Sequence, residues 1–221
     1  MYFILEFSAP YGILFSVVNM ADNTDYQVTG DELKQTLAAW DRLLPGRGTV
    51  HLIACGGTAL SLLGYKETTK DVDFMVPVEK EYQRLVKFLI RAGYARQTGT
   101  GWKRPQENLV YDLFLGNLVY TTELLTSPLE GNGHRKVWEG KKIYLGILNS
   151  MDLIITKLFR GSTVDYEDCL TLVAHEDVDL RKLEQRFKET AGYDVSEQKL
   201  KGNFEHFLTR ARRSNAGGDS K

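Results

Sequence analysis

Apolar residues along the chain switch between two spacings, and the switches mark out its elements. Thr29 followed by Glu32 is a capping-box start, and Leu33, Leu37, Leu43 and Leu44 give the apolar face of a helix that Pro45-Gly46 ends. Residues 50–55 form a short unbroken apolar run of the kind that makes a buried strand. Gly56 and Gly57 separate it from residues 58–63, which read as the start of a short helix. A second apolar run then carries Asp71 and Asp73 beside Val72, Phe74, Met75 and Val76. Residues 79–92 predict an amphipathic helix whose core stripe is Tyr82, Leu85, Val86, Leu89 and Ile90, closed by Gly93.

Beyond that helix, Gly99-Thr100-Gly101 reads as a hairpin turn leading into Trp102, and residues 109–115 as a strand interrupted by one acid, Asp112. Residues 119–129 and 141–148 are further strand or edge candidates, with a polar loop at 130–135 between them. From Asn149 the pattern turns helical, over 151–159, 166–174, 180–190 and 197–212, and 214–221 is expected to be a disordered tail. The expectation is an α/β (α+β) core over residues 21–148 followed by a C-terminal helical bundle over 149–213.

Composition narrows this picture little. A chain of 221 residues with 43% hydrophobic and 26% charged residues suits one domain with a helical appendage, or two small ones. A net charge of −1 weighs against binding nucleic acid by bulk electrostatics, and Arg91, Arg96, Lys103 and Arg104 read as a solvated face. Cys55 and Cys169 lie in apolar stretches outside any C-x-x-C pair, as reduced core residues of a cytoplasmic protein would. His51, His134, His175 and His206 are scattered without zinc-ligand spacing. The leader, residues 1–20, is apolar but holds Glu6 and Pro10 and lacks a basic start, so it is a poor signal peptide and a marginal membrane span. Translation is expected to begin at Met20, and no membrane partner is expected.

The candidate chemistry lies between Gly56 and Phe74. Alternate residues of a strand share a face, so Asp71 and Asp73 converge on one side of a sheet, where two carboxylates repel. A magnesium ion relieves that repulsion, since it takes one or two carboxylates and completes its shell with water and phosphate oxygens. A strand followed by glycines and a helix start lets backbone amides approach a phosphate. Each feature alone has a plainer reading, a solvated strand end for the D-x-D and a tight turn for Gly-Gly. Asp112, amid strand-forming residues, is either a solvent-facing edge residue or a third ligand.

Taken together, GGTAL and KETTKDVDF resemble the DNA polymerase beta-like nucleotidyltransferase superfamily, and within it the minimal nucleotidyltransferases that include the abortive-infection AbiEii-type toxins. The resemblance runs over residues 50–173. It implies a small mixed sheet flanked by helices, phosphate binding by Gly56, Gly57 and Thr58, and two magnesium ions (manganese as an alternative) held by Asp71, Asp73 and Asp112. A D-L-x-x-x-K-like run and an R-x-x-x-D-x-x-D-like run match Asp152, Lys157, Arg160, Asp165 and Asp168. Lys157 is then expected to point at the phosphates, with Asp165 and Asp168 in support. The chain departs from the family pattern at Lys66, where arginine is frequent, and at Thr58, where serine is; cation and hydroxyl are retained, and Lys66 is counted among the phosphate ligands.

The activity so implied is transfer of a nucleoside monophosphate from a nucleoside triphosphate to an RNA or protein acceptor, within a toxin and antitoxin pair. Two other classes share parts of the pattern. A nucleotide-sugar glycosyltransferase also uses a metal-bound D-x-D, but normally has a longer nucleotide-binding unit ahead of it. A nucleotide- or partner-binding member without turnover would carry the same motifs.

Overall fold

The computed structural model describes residues 27–216 apart from 106, 193 and 195, so the leader and the expected start at Met20 lie outside the described residues. In chain order the elements are β1 (Val28–Thr29), α1 (Gly30–Leu43), β2 (Val50–Ala54), α2 (Gly56–Leu62), β3 (Thr68–Thr69), β4 (Asp71–Val76) and α3 (Glu79–Arg91). Next come β5 (Ala95–Arg96), β6 (Gly101–Lys103), β7 (Val110–Leu115), β8 (Leu118–Val119), β9 (Thr122–Glu123), β10 (His134–Glu139) and β11 (Ile143–Leu148). Four helices close the chain, α4 (Ser150–Arg160), α5 (Thr163–His175), α6 (Leu180–Ala191) and α7 (Glu197–Ala216).

Among the described residues seven strands form one mixed sheet in the order β10-β11-β2-β4-β7-β6-β5. β11 pairs with β2 and β4 with β7 in parallel, and the other neighbours are antiparallel. Every residue of β4 after Asp71 is buried, which explains a sequence that runs apolar instead of alternating: both faces of the strand are covered. One face packs on α1 and α3, where Trp40 meets Tyr111 at 4.9 Å and Phe88 at 6.0 Å. Neighbours along a strand point to opposite faces, so Asp112, next to Tyr111, belongs to the other side of the sheet.

The predicted helix starts and stops are present. Thr29 and Glu32 make the reciprocal capping box of α1, and α3 ends just before Gly93, whose φ of 88° only glycine adopts without strain. The C-terminal helices build their core from Phe159, Phe187, Phe204 and Phe207, with Phe187 stacked on Phe204 at 4.3 Å. Arg186 of α6 holds Asp152 of α4 through two bonds of 2.6 and 2.9 Å, so Asp152 of the D-L-x-x-x-K-like run is a joint between helices.

Three expectations need correction. The region read as a polar loop and left unassigned contains β10, an edge strand whose residues are all exposed or half-buried; it has no buried face and so shows no hydrophobic period. The long strand expected over 119–129 is instead the short hairpin β8–β9. The tail expected from Ser214 begins inside α7, which runs to Ala216.

Asp41 pins α1 to the start of β11. Its carboxylate, only 8% exposed, accepts the amides of Lys141, Lys142 and Ile143 at 3.1, 2.7 and 2.8 Å. Burial pushes its pKa up, but the three amides outweigh burial and hold it below the ordinary carboxylate value. The approach leaves no room for a side chain at residue 140, where a Cβ would stand 2.4 Å from an Asp41 oxygen. Asp41→Ala strands these amides and is expected to cost on the order of 3 kcal/mol, read by urea unfolding at neutral pH; a loss within experimental error would mean that water replaces the carboxylate.

Candidate active site

β2 ends at Ala54 and the chain turns through Cys55 and Gly56 into α2. Gly56 has a φ of 56°, and a Cβ there would lie 2.1 Å from Asp73 Oδ2, so the turn can lie against the carboxylate only as glycine. A Cβ at Gly57 would stand 2.9 Å from the Thr69 hydroxyl oxygen. The first helical acceptor, the Cys55 carbonyl, takes the Ala59 amide at 3.1 Å, which leaves the amides of Gly56, Gly57 and Thr58 in the unpaired first turn.

Thr58 fastens this turn to the D-x-D strand. Its buried hydroxyl accepts the Asp73 amide at 2.8 Å and donates to the Asp71 carbonyl at 3.2 Å. The glycine turn and the carboxylate strand are therefore one rigid unit. The expected phosphate role of the hydroxyl is not what its bonding serves here, because both partners are backbone groups of β4.

The three acids share one face. In the parallel pairing of β4 with β7, Asp73 stands directly across from Asp112, and Asp71 sits two residues back on the same side of β4. Asp71 is exposed, Asp112 half-buried, and Asp73 only 3% exposed. The Thr100 hydroxyl donates to Asp112 Oδ1 at 2.6 Å, and the Tyr120 hydroxyl donates to Asp73 Oδ1 at 2.6 Å. Burial and the Asp112 charge both raise the pKa of Asp71. Burial pushes Asp73 up to about 6; the Tyr120 hydrogen bond and Arg160 oppose the rise, while Asp112 and Asp71 add to it.

The expected cations are placed differently. Lys157 is 1% exposed and its ammonium bonds Asp168 at 2.6 Å, with Asp165 at 3.7 Å, so it is enclosed between α4 and α5 instead of reaching toward a phosphate. Lys66, partly exposed, bonds the same Asp168 at 2.6 Å. Asp165 caps α5 through Ser162 and holds Arg160 at 2.5 Å. Two ammonium groups on one carboxylate form a structural cluster; for Lys157 the correction follows from burial, since a charge removed from water keeps its partner.

Two polar residues of the site escaped the sequence reading, Thr100 and Tyr120. Thr100 lies in the glycine turn that was recognised, but nothing local marks its hydroxyl as a partner of Asp112. Tyr120 lies in a stretch read as strand, where nothing local marks its hydroxyl as a partner of Asp73.

Among the described residues no three His, Cys, Asp or Glu side chains close into a ligand set that could hold an ion unaided. The three acids fit magnesium in a different way. It needs one or two carboxylates and takes the rest of its shell from water and phosphate, and the mutual repulsion across β4 and β7 is what a divalent cation would relieve. A cleft of about 290 Å³ lined by His134, Arg135, Asn149 and Glu176, and a groove of about 540 Å³ along α3, both lie apart from these acids.

No protein-family model matches the chain, and no curated protein does. Among solved structures, the solution structure of the antibiotic-resistance factor ANT(2'')-Ia is similar, with 12% identity and a TM-score of 0.40 over 87% of this chain and 97% of that one. A likeness this distant leaves the site to be judged on its own geometry.

Two outcomes are expected. A rise in the Asp73 pKa from 3.8 to about 6 means that the native state holds an extra proton between those values, so stability falls as pH rises through that window and the ionised form stays penalised by on the order of 3 kcal/mol above it. With divalent metal chelated, Asp73→Asn should raise the unfolding midpoint at about pH 7.5 and leave it near wild type at about pH 4, as followed by thermal denaturation. A lower midpoint at the higher pH would count against the buried repulsion. Lys157→Ala should destabilise the protein by on the order of 3 kcal/mol, the low end for breaking a buried pair because Lys66 stays on Asp168; unchanged urea unfolding would put Lys157 outside the structural cluster.

Proposed function

We propose that this chain is a metal-dependent nucleotidyltransferase that moves a nucleoside monophosphate from a nucleoside triphosphate to an acceptor. The observation that carries the reading is the parallel β4–β7 register, which sets Asp112 abreast of Asp73 with Asp71 on the same face, while a glycine turn approaches Asp73 closely.

Asp71, Asp73 and Asp112 are the residues that would hold magnesium, or manganese in its place. Bound there, the ions would supply charge neutralisation for the triphosphate and Lewis-acid polarisation of its phosphoryl oxygens. The unpaired first-turn amides from Gly56 to Thr58 face the role of binding phosphate oxygens, with no side chain on either glycine to obstruct them. Asp112 has Oδ1 fixed by Thr100, which leaves Oδ2 to take the proton of the attacking acceptor hydroxyl. In the reaction the acceptor oxygen bonds the α-phosphorus, the bond from that phosphorus to the α–β bridging oxygen breaks, and pyrophosphate leaves.

The acceptor in this reading is RNA or protein, and an antitoxin is its candidate regulator. No described helix is long and apolar enough to cross a membrane, and both cysteines are free and buried, which suits the proposed cytoplasmic setting. Incubation of the pure protein with each labelled triphosphate, together with total RNA or total protein, reads donor and acceptor at once.

Asp112→Asn separates binding from chemistry. Asp71 and Asp73 remain to accompany the triphosphate, so the variant is expected to bind magnesium-triphosphate within a few-fold of wild type, while transfer falls by at least about a hundredfold. Calorimetric titration and pyrophosphate release measure the two. Normal transfer by the variant would remove Asp112 from the site, and binding without transfer by wild type would identify a nucleotide-binding member that lacks turnover.

A further inference from the structure

Among the described residues Tyr120 is the one non-glycine residue with a positive φ, 54°. It occupies the first of the two turn positions between β8 and β9, a place where a two-residue hairpin turn with positive φ ordinarily has glycine. A bulky residue persists in such a conformation when its surroundings hold it there. Three contacts do so. The ring packs on Phe114 of β7 at 4.8 Å, the Arg160 guanidinium lies over it at 4.3 Å, and the hydroxyl donates to Asp73 Oδ1 at 2.6 Å. Arg160, the last residue of α4, is in turn held by Asp165 at the start of α5.

A continuous chain of contacts thus runs from α5 through Arg160 and Tyr120 to the buried acid of β4. The hydroxyl holds Oδ1 of Asp73 while Oδ2 lies against Gly56, so the carboxylate is fixed from both ends. We propose that Tyr120 is a positioning residue that fixes the Asp73 carboxylate for metal binding and couples its orientation to the C-terminal helices through Arg160. The proposal rests on Asp73 being a metal ligand. Partners that hydrogen-bond a ligating carboxylate fix its orientation, and their loss typically costs metal affinity tenfold or more.

The experiment is titration of the full chain with Mn²⁺ alone, by calorimetry and by the loss of the free-ion paramagnetic resonance signal, for wild type, Tyr120→Phe, Tyr120→Gly and Asp73→Asn. Tyr120→Phe keeps the ring on Phe114 and beneath Arg160 and removes only the hydroxyl. It is expected to weaken Mn²⁺ binding about tenfold while the chain stays folded, with a modest fall in the unfolding midpoint from the donor lost to Asp73. Tyr120→Gly relieves the backbone but removes ring and hydroxyl together and should weaken binding at least as much, whereas a purely structural tyrosine would leave Tyr120→Phe with wild-type affinity. Wild-type affinity in Tyr120→Phe, with Asp73→Asn impaired, overturns the positioning role and leaves the metal site standing. Unimpaired binding in Asp73→Asn, or no Mn²⁺ binding by wild type, overturns the metal-site reading and this inference with it.

Discussion

Burying Asp73 is the constraint on which the rest of the site depends. A carboxylate 3% exposed, opposite a second acid on the neighbouring strand and two residues from a third, is unfavourable unless the surrounding groups offset the loss of water. The offsets are visible one by one. Tyr120 donates to the side chain and Arg160 supplies a nearby positive charge. The pKa nonetheless stays raised, so these groups do not fully compensate for the burial.

A complementary cluster lies behind the site and is built on opposite principles. Asp168 receives both Lys66 and Lys157, while Asp165 receives Arg160 and the Ser162 hydroxyl. Acids in this cluster are bonded directly by cations of the chain itself; Asp73 and Asp112 are bonded by the hydroxyls of Tyr120 and Thr100. Arg160 belongs to both groups, bonded to Asp165 and stacked on the tyrosine that holds Asp73. The helical bundle therefore serves the sheet as more than a cover, since the orientation of a β4 side chain is transmitted from the α4–α5 corner.

How far the sequence could be read depended on the range of the interaction involved. Thr29 with Glu32 and the strand-glycine-helix order at residues 50–63 are local patterns found in the structure, and the stripe of α3 is found in part: Tyr82, Leu85 and Leu89 are buried, but Ile90 is 57% exposed and Phe88 takes the buried place. The D-x-D and the isolated Asp112 were legible as residues, because acids in apolar strands stand out. What joins them, the parallel register of β4 and β7, is a long-range pairing with no local signature. Lys157 illustrates the converse: a lysine on an amphipathic helix carries no mark of burial, and only the position of Asp168 on the next helix shows that its ammonium faces inward. β10 was missed for a related reason, being an edge strand with no buried face.

The open arrangement of acids is itself informative about the ligand. A site meant to hold an ion permanently gathers a complete set of ligands, as structural zinc sites do. Here Asp71 is exposed, Asp112 half-buried and Asp73 enclosed, so the three acids grade from solvent to core along one face instead of converging on a closed cage. Under the proposed function, such a gradient suits an ion that arrives with its own oxygens, because magnesium takes one or two carboxylates and fills the rest of its shell from water and phosphate.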